Sequence, residues 1–217
     1  MHELKLEFMP QATHKNFARL KDDPRLAGFT LVGGCGCSNR QYFGCARGSV
    51  MNLEPMKTHK VWRVGANVDT DALAPGAYMK HGIDVIAAHC LEVHRTDFAK
   101  EVKSGDVLVA GPNFGIGSSR EQAAGALKHL GVAAVIAPSY SGLFFRNAFN
   151  LGLLLLTCPE ADKIQEGERV ALHFEGDTPQ VLRANGDRLA CAPVPGFLMD
   201  MVDAGGLLPL LKNRKQG

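Results

Sequence analysis

Residues 107–131 read VLVAGPNFGIGSSREQAAGALKHLG: an apolar run, a glycine-rich break and a helically spaced segment, in that order. The run has the length and composition of a buried strand, predicted over 106–110. Gly111-Pro112-Asn113 stops it, and Gly115 and Gly117 bracket Ile116 before Ser118-Ser119-Arg120 opens a helix predicted over 119–130. Strand, glycine loop, helix is also the order of a phosphate-binding loop. That motif needs G-x-x-x-x-G-K-[ST], and no lysine stands at the required place.

The same rhythm continues downstream. An apolar segment at 132–137 reads as strand, 141–149 as helix, and 153–156 as a further apolar run. Strands alternating with helices predict a parallel α/β sheet with right-handed crossovers. Upstream, 60–64 alternates like a strand, 67–82 (NVDTDALAPGAYMKHG) reads as loop, and 83–92 has helical spacing. Beyond 160 the pattern becomes β, at 169–174 and 180–182, with EGD and NGD turns. A helix near 196–204 and then Gly205-Gly206 are expected to close the ordered part. Residues 1–57 carry Pro10, Pro24 and Pro55 around a glycine- and cysteine-rich centre. They read as an irregular N-terminal extension, with a short helix near 14–21, ahead of a domain at 58–217.

Apolar residues make up 46% of the 217-residue chain and charged residues 21%, the balance of a globular protein with a proper core. A net charge of +2, spread along the chain, offers no footprint for nucleic acid. Lys212-Asn213-Arg214-Lys215 reads as a solvated tail. No apolar segment approaches the roughly 18 residues of a membrane span, and the first residues, MHELKLEFMPQATHK, lack a signal-type apolar region. A cytoplasmic location is the expectation. Cys35, Cys37 and Cys45 form C-x-C-x7-C, whereas Cys90, Cys158 and Cys191 stand alone. Neither arrangement matches a structural zinc or iron–sulfur spacing, so no metal is expected on this chain.

What can the loop end do chemically? Ser118 with Glu121, and Ser119 with Gln122, both fit a capping box, and only one serine can cap. The other then stands at the positive end of a helix beside Arg120. Glycines allow a ligand close to the backbone, the helix end offers N–H groups, and the guanidinium fork matches a carboxylate. The missing lysine favours a carboxylate over a nucleotide phosphate. A neighbouring guanidinium also favours the ionised hydroxyl, but no G-x-S-x-G elbow frames the serine, and local chemistry leaves its reactivity open. Asp69-Thr70-Asp71 reads by itself as an Asx-turn or a cap.

Taken together, NVDTDALAP, GPNFGIGSSREQAAGALKHLGVAAVIAPSYSGLFFRNAFNLGL and GFLMDMVDAGGLLPLLK resemble the swivelling small subunits of the aconitase superfamily. The most similar branch is the small subunit of 3-isopropylmalate dehydratase. The resemblance spans about residues 60–213 and implies an α/β fold, a swivelling β/β/α domain packed over a separate large subunit. It implies a hydro-lyase that isomerises 2- and 3-isopropylmalate in leucine biosynthesis, with a four-iron four-sulfur cluster on the large subunit. Carried over from the motif, Ser118 is the catalytic base. Ser119 and Arg120 bind a substrate carboxylate, Thr70 and Asp71 support the site, and Tyr78, Met79, Lys80 and His81 form the loop that selects the substrate's third group. An apolar loop suits an isopropyl group; Lys80 and His81 would suit a further carboxylate, as in homoaconitase. Citramalate and dimethylmalate dehydratases, and a stand-alone carboxylate-binding module, are the alternatives, as is a separate metal or redox function for the three clustered cysteines. Ile116 departs from a frequent Cys, Ala66 from Asp, Gln122 from His, and GLLLL from a GLLP-type strand end.

Overall fold

The computed structural model describes residues 57–215. The irregular extension expected over 1–57, its short helix and Cys35, Cys37 and Cys45 lie outside the described residues, apart from residue 57 itself. Seven strands form one mixed sheet in the order β4-β3-β2-β1-β5-β6-β7. β1 (Thr58–Arg63), β2 (Val107–Val109), β3 (Ala134–Ala137) and β4 (Leu154–Thr157) run parallel. β5 (Arg169–Glu175), β6 (Thr178–Arg183) and β7 (Arg188–Ala190) extend it as an antiparallel meander from the far side of β1. The α/β expectation and the change of character after residue 160 therefore both hold.

Burial explains the two halves. β2 and β3 are buried at every residue and β4 at all but Thr157, which is why they read as unbroken apolar runs. β6 alternates between half-exposed and buried positions at its start, as a strand with one wet face does. Trp62, 2% exposed, fills the core beneath β1 and donates its indole N–H to Asp106 Oδ2 at 2.9 Å. The same carboxylate oxygen accepts Lys103 N–H at 3.0 Å, so the buried Asp106 fixes the turn into β2.

The connections supply seven helices among the described residues, α1 (Thr70–Leu73), α2 (Ile83–Ala88), α3 (Phe98–Glu101), α4 (Glu121–His129), α5 (Gly142–Asn150), α6 (Gly196–Asp203) and α7 (Leu207–Lys215). Several depart from the sequence reading. α1 forms within 67–82, read as loop, because Asp69 caps it by accepting Ala72 N–H. The helix expected over 83–92 stops at Ala88. Leu91 turns left-handed (φ 61°) and gives its N–H to Ala72 O at 2.7 Å, leaving the helical ladder for a tertiary bond. Nor do Gly205-Gly206 end the ordered chain. Gly206 N–H returns to Met201 O at 2.7 Å, closing α6 as a C-cap, and α7 follows. Pro209 is tolerated because it falls in the first turn, where no intrahelical N–H is required. Lys212, Arg214 and Lys215 are thus the last turn of a helix, where cations are favourable, and not a loose tail.

The sheet positions the candidate site. Val61 pairs with Val107 and Arg63 with Val109, so the parallel neighbours β1 and β2 end level. Loops 64–69 and 110–120 consequently leave side by side at the carboxyl edge of the sheet, where ligands of open α/β sheets bind.

Candidate functional site

Two short bridges bind these loops into one unit. Asp69 pairs with Ile116 in parallel fashion, and Phe114 with Tyr140 from the loop after β3. Thr70 N–H donates to Ile116 O at 2.8 Å and Gly115 N–H to Val68 O at 2.8 Å. Phe114, fully buried, anchors the glycine loop edge-on against Phe144 with ring centroids 5.2 Å apart. The glycines on either side of Ile116 have separate reasons. Gly115 has φ 76°, and a Cβ there would lie 2.3 Å from Phe144 Cγ. Gly117 has φ 101° and faces Thr70, whose Oγ1 would sit 3.2 Å from an added Cβ.

Asp69 is the N-cap of α1, its Oδ1 accepting Ala72 N–H at 2.7 Å, as the cap reading of Asp69-Thr70-Asp71 anticipated. That cap places Thr70 at the first helical position, only 1% exposed. Thr70 Oγ1 accepts the backbone N–H of Ser118 at 3.0 Å and lies 3.1 Å from Ser118 Oγ. The hydroxyl accepts one bond and has its proton free for the other. Ser118 and Ser119 are exposed, and Arg120 is half-buried.

The capping expectation fails for both serines. The N-cap of α4 is Arg120, with extended backbone (φ −62°, ψ 115°) and no side-chain cap bond. The helix starts at Glu121, so both serines lie outside the first turn. Ser118 Oγ is held by Thr70, while the carbonyl of Ser119 accepts Asn147 Nδ2–H at 3.0 Å. Neither hydroxyl is used to close the helix.

Arg120 reaches back across the junction. Its Nη1 forms an ion pair with Asp71 Oδ1 and donates to Ala74 O at 3.1 Å. Those two partners fix the plane of the guanidinium, and the fork carries five N–H donors in all, so others remain. Gly76 lies beside the pair: a Cβ there would be 3.8 Å from Asp71 Oδ1 and 4.0 Å from Arg120 Nη2. A short helical turn, Gly76–Tyr78, carries the chain from there into Met79, Lys80 and His81. Tyr78 and Met79 are half-buried against the core; Lys80 and His81 are exposed. All nine residues singled out in the sequence thus fall on one stretch of the carboxyl edge or on the loop beginning beside it.

Three asparagines escaped the sequence reading. Asn67 (φ 56°) and Asn113 (φ 62°) are both left-handed and are joined by Asn113 Nδ2–H to Asn67 Oδ1 at 2.9 Å. They clasp the Thr70 loop to the Ser118 loop. Asn147, 8% exposed on α5, holds the Ser119 carbonyl from behind. The available signal was the residue type: asparagine is the side chain that best tolerates positive φ in a loop. A cleft of about 560 Å³ touches both loops at Ala66 and Gly111, but Arg63, His94, Arg95 and Glu166 line it rather than Ser118 or Arg120. The serine and arginine stand on an open face.

Tyr140 locks the sheet beneath. Its hydroxyl lies 2.8 Å from Val135 O and 2.9 Å from Leu156 O, across β3 and β4, and burial pushes its pKa well above the usual range. Among the described residues no group of three or more His, Cys, Asp and Glu side chains converges as a metal site. No described helix is long and apolar enough to cross a membrane.

Comparison with known proteins agrees with this geometry. Residues 70–161 match the family model described as Aconitase C-terminal domain. The 3-isopropylmalate dehydratase small subunit 1 of Archaeoglobus fulgidus is 42% identical over 158 residues, covering 72% of this chain and 98% of that one. The corresponding small subunit of Syntrophus aciditrophicus is 41% identical over 163 residues, 74% of this chain and 98% of that one. The crystal structure of 3-isopropylmalate dehydratase from Methanocaldococcus jannaschii superimposes with a TM-score of 0.68 at 38% identity, covering 73% of this chain and 95% of that chain. Near-complete coverage of such relatives, together with the shared fold, shows that the chain belongs to the family of 3-isopropylmalate dehydratase small subunits.

Proposed function

We propose that this chain supplies the proton-moving and carboxylate-gripping half of a two-subunit hydro-lyase. The enzyme interconverts 2-isopropylmalate and 3-isopropylmalate by dehydration and rehydration, in leucine biosynthesis. The observation that carries the assignment of roles is the exposed Ser118 hydroxyl, 3.1 Å from the buried Thr70 hydroxyl and next in line to an oriented arginine.

Ser118 Oγ is the base. It removes the carbon-bound proton beside a substrate carboxylate, and the electron pair of that C–H bond forms the C=C bond as the neighbouring C–OH bond breaks. Water then adds back with the hydroxyl on the other carbon. A serine needs help to ionise, and Thr70 supplies it: its hydroxyl proton, turned toward Ser118 Oγ, stabilises the alkoxide. Arg120 grips the carboxylate through the N–H groups left free by Asp71 and Ala74, and Ser119 adds a hydroxyl donor on the exposed side. Asp71 holds the guanidinium plane in place. The loop from Tyr78 through Met79 and Lys80 to His81 receives the third substituent.

Ser118 stands on an open face, so a second surface has to close over it, and the partner proposed is an iron–sulfur large subunit. The four-iron four-sulfur cluster is assigned to that subunit, where it supplies Lewis-acid chemistry at the leaving hydroxyl; the described residues of this chain offer no converging ligand set to hold it. The swivelling domain is taken as 58–217 and the location as cytoplasmic.

The test is the reconstituted two-subunit enzyme carrying Ser118→Ala. Loss of a positioned base lowers kcat by about 10²–10⁴-fold, with the cluster's visible spectrum unchanged. Retention of more than a tenth of the wild-type rate would refute the role given to Ser118.

A further inference from the structure

We propose that His89 is a positioning residue for substrate choice, holding Tyr78 and with it the loop beside Arg120; this rests on the reading of residues 78–81 as the selecting loop. The rings of Tyr78 and His89 are stacked face to face, 3.7 Å between centroids and 8° from parallel. No motif or comparison points to His89, which lies outside the loop at the C-cap of α2.

The two partners differ in how firmly each is built in. His89 sits on a braced base. Its backbone N–H bonds Ile86 O at 3.1 Å, and its neighbours Ala87, Cys90 and Leu91 are buried. Leu91 N–H ties this corner to α1 through Ala72 O at 2.7 Å. The imidazole is oriented as well: Nδ1 lies 2.6 Å from Glu92 Oε2, so the carboxylate accepts a hydrogen bond from Nδ1–H and fixes the ring plane.

The loop is held differently. Its backbone bonds are all local, Tyr78 N–H to Pro75 O, Met79 N–H to Gly76 O and His81 N–H to Tyr78 O. Such turns set the curl of the loop without setting its tilt. Tilt comes from side chains, and only Tyr78 and Met79 are half-buried, whereas Lys80 and His81 are exposed. Met is pliable and fills space without fixing an angle; a parallel aromatic stack fixes one. Gly76 is already in reach of the Asp71–Arg120 pair, and Tyr78 follows two residues later, within about 7.6 Å of chain. Holding Tyr78 against His89 therefore sets how much room remains beside the substrate carboxylate for its third group.

The experiment uses the reconstituted two-subunit enzyme and two substrates, 3-isopropylmalate and the analogue bearing methyl in place of isopropyl. The readout is the ratio of their kcat/KM values, with kcat and KM resolved for each. His89→Ala lowers the preference for the isopropyl substrate by about 3- to 10-fold, the span an aromatic pair can supply, through KM rather than kcat. His89→Phe, which keeps a flat ring at the same place, restores the ratio, and it also serves should the alanine variant fold poorly. Equal losses on both substrates in His89→Ala overturn the proposal, because a merely structural role would act on both alike. So does a lost preference that His89→Phe fails to restore. Tyr78→Ala separates the two levels. A ratio that changes with Tyr78→Ala but not with His89→Ala refutes the positioning role and leaves the selecting loop standing; a ratio indifferent to both refutes the selecting loop itself.

Discussion

Thr70→Val tests whether the buried threonine does more than fill space. Valine matches threonine in shape, so packing at this 1%-exposed position is kept and only the hydroxyl is lost. Two interactions go with it: the bond accepted from Ser118 N–H at 3.0 Å and the contact with Ser118 Oγ at 3.1 Å. The first is a matter of stability. An amide left without its acceptor costs about 1–3 kcal/mol when buried, and the exposed side of Ser118 admits water, so the lower end applies. The second is a matter of rate. A hydrogen bond to an ionised oxygen is worth about 1.5–3 kcal/mol, and it counts in full only when Ser118 is an alkoxide. At about 1.36 kcal/mol per decade this lowers kcat by roughly 10- to 150-fold, with KM little changed. Steady-state rates of 3-isopropylmalate dehydration by the reconstituted enzyme measure the loss, with urea denaturation of the chain run alongside. Thr70→Ser, which keeps the oxygen, recovers most of the rate. A Thr70→Val enzyme within threefold of wild-type kcat would refute the idea that Thr70 stabilises the ionised serine.

Three further outcomes are expected. Gly115→Ala places a methyl 2.3 Å from Phe144 Cγ at a φ of 76°; overpacking and a left-handed alanine together cost about 2–4 kcal/mol, read as a drop of several degrees or more in Tm, and an unchanged Tm would count against so close an approach of the glycine loop to α5. Asn147→Leu removes the donor to Ser119 O while filling the same space, so kcat falls by about 10-fold or more whereas stability falls by only about 1–2 kcal/mol; rates and denaturation midpoints measured on the same preparation separate the two. The Arg95 guanidinium, hydrogen-bonded to Asp97 through Nε at 3.0 Å and Nη2 at 2.7 Å, holds the Asp97 carboxyl down to about 2. A depressed folded-state pKa means that the pair's stabilisation is present above the ordinary carboxylate pKa and is lost as pH falls toward 2; carboxyl NMR shifts should show Asp97 titrating there and returning toward 3.8 in Arg95→Ala.

Much of this architecture was legible because burial writes itself into composition. Strands such as Ala134–Ala137, buried at all four residues, cannot alternate, and their unbroken apolar runs between glycines announce a parallel sheet. The same signal placed the glycine loop after a strand, and the N-F-G-I-G-S-S-R-E stretch pointed to the site. What sequence could not supply was competition between local and tertiary bonding. Ser118 and Ser119 fit capping boxes as well as any serines do, yet Thr70, 48 positions earlier, claims Ser118 instead. Leu91 fits a helix and leaves it for Ala72 O. Gly205-Gly206 fits a terminus and proves to be a joint between α6 and α7. In each case the local preference is worth about 1 kcal/mol or less, which a single well-placed tertiary hydrogen bond matches.

The clasp of Asn67 and Asn113 shows why the two halves of the site behave as one. Ser118 is connected to Thr70, Thr70 N–H to Ile116 O, and Gly115 N–H to Val68 O. Each bond crosses from the loop after β1 to the loop after β2, and none lies within a loop. The 3.1 Å between the Thr70 and Ser118 hydroxyls is therefore a property of the junction rather than of either segment. Arg120 spans the same junction through Asp71 and Ala74. The proposed base and carboxylate grip both stand on the β2 side, each held by a partner on the β1 side, and they keep those partners only if the seam does not open. Two left-handed asparagines, each costing about 1 kcal/mol or more in backbone strain, are retained where their amides join across it. Asn113→Gly relieves the strain at one residue (φ 62°) and breaks that joint, so its signature is the reverse of an ordinary destabilising change: little loss of Tm, with a fall in kcat of about 10-fold. If kcat instead followed Tm, both falling together or neither, the clasp would be ordinary loop structure with no share in holding Thr70 against Ser118 and Asp71 against Arg120.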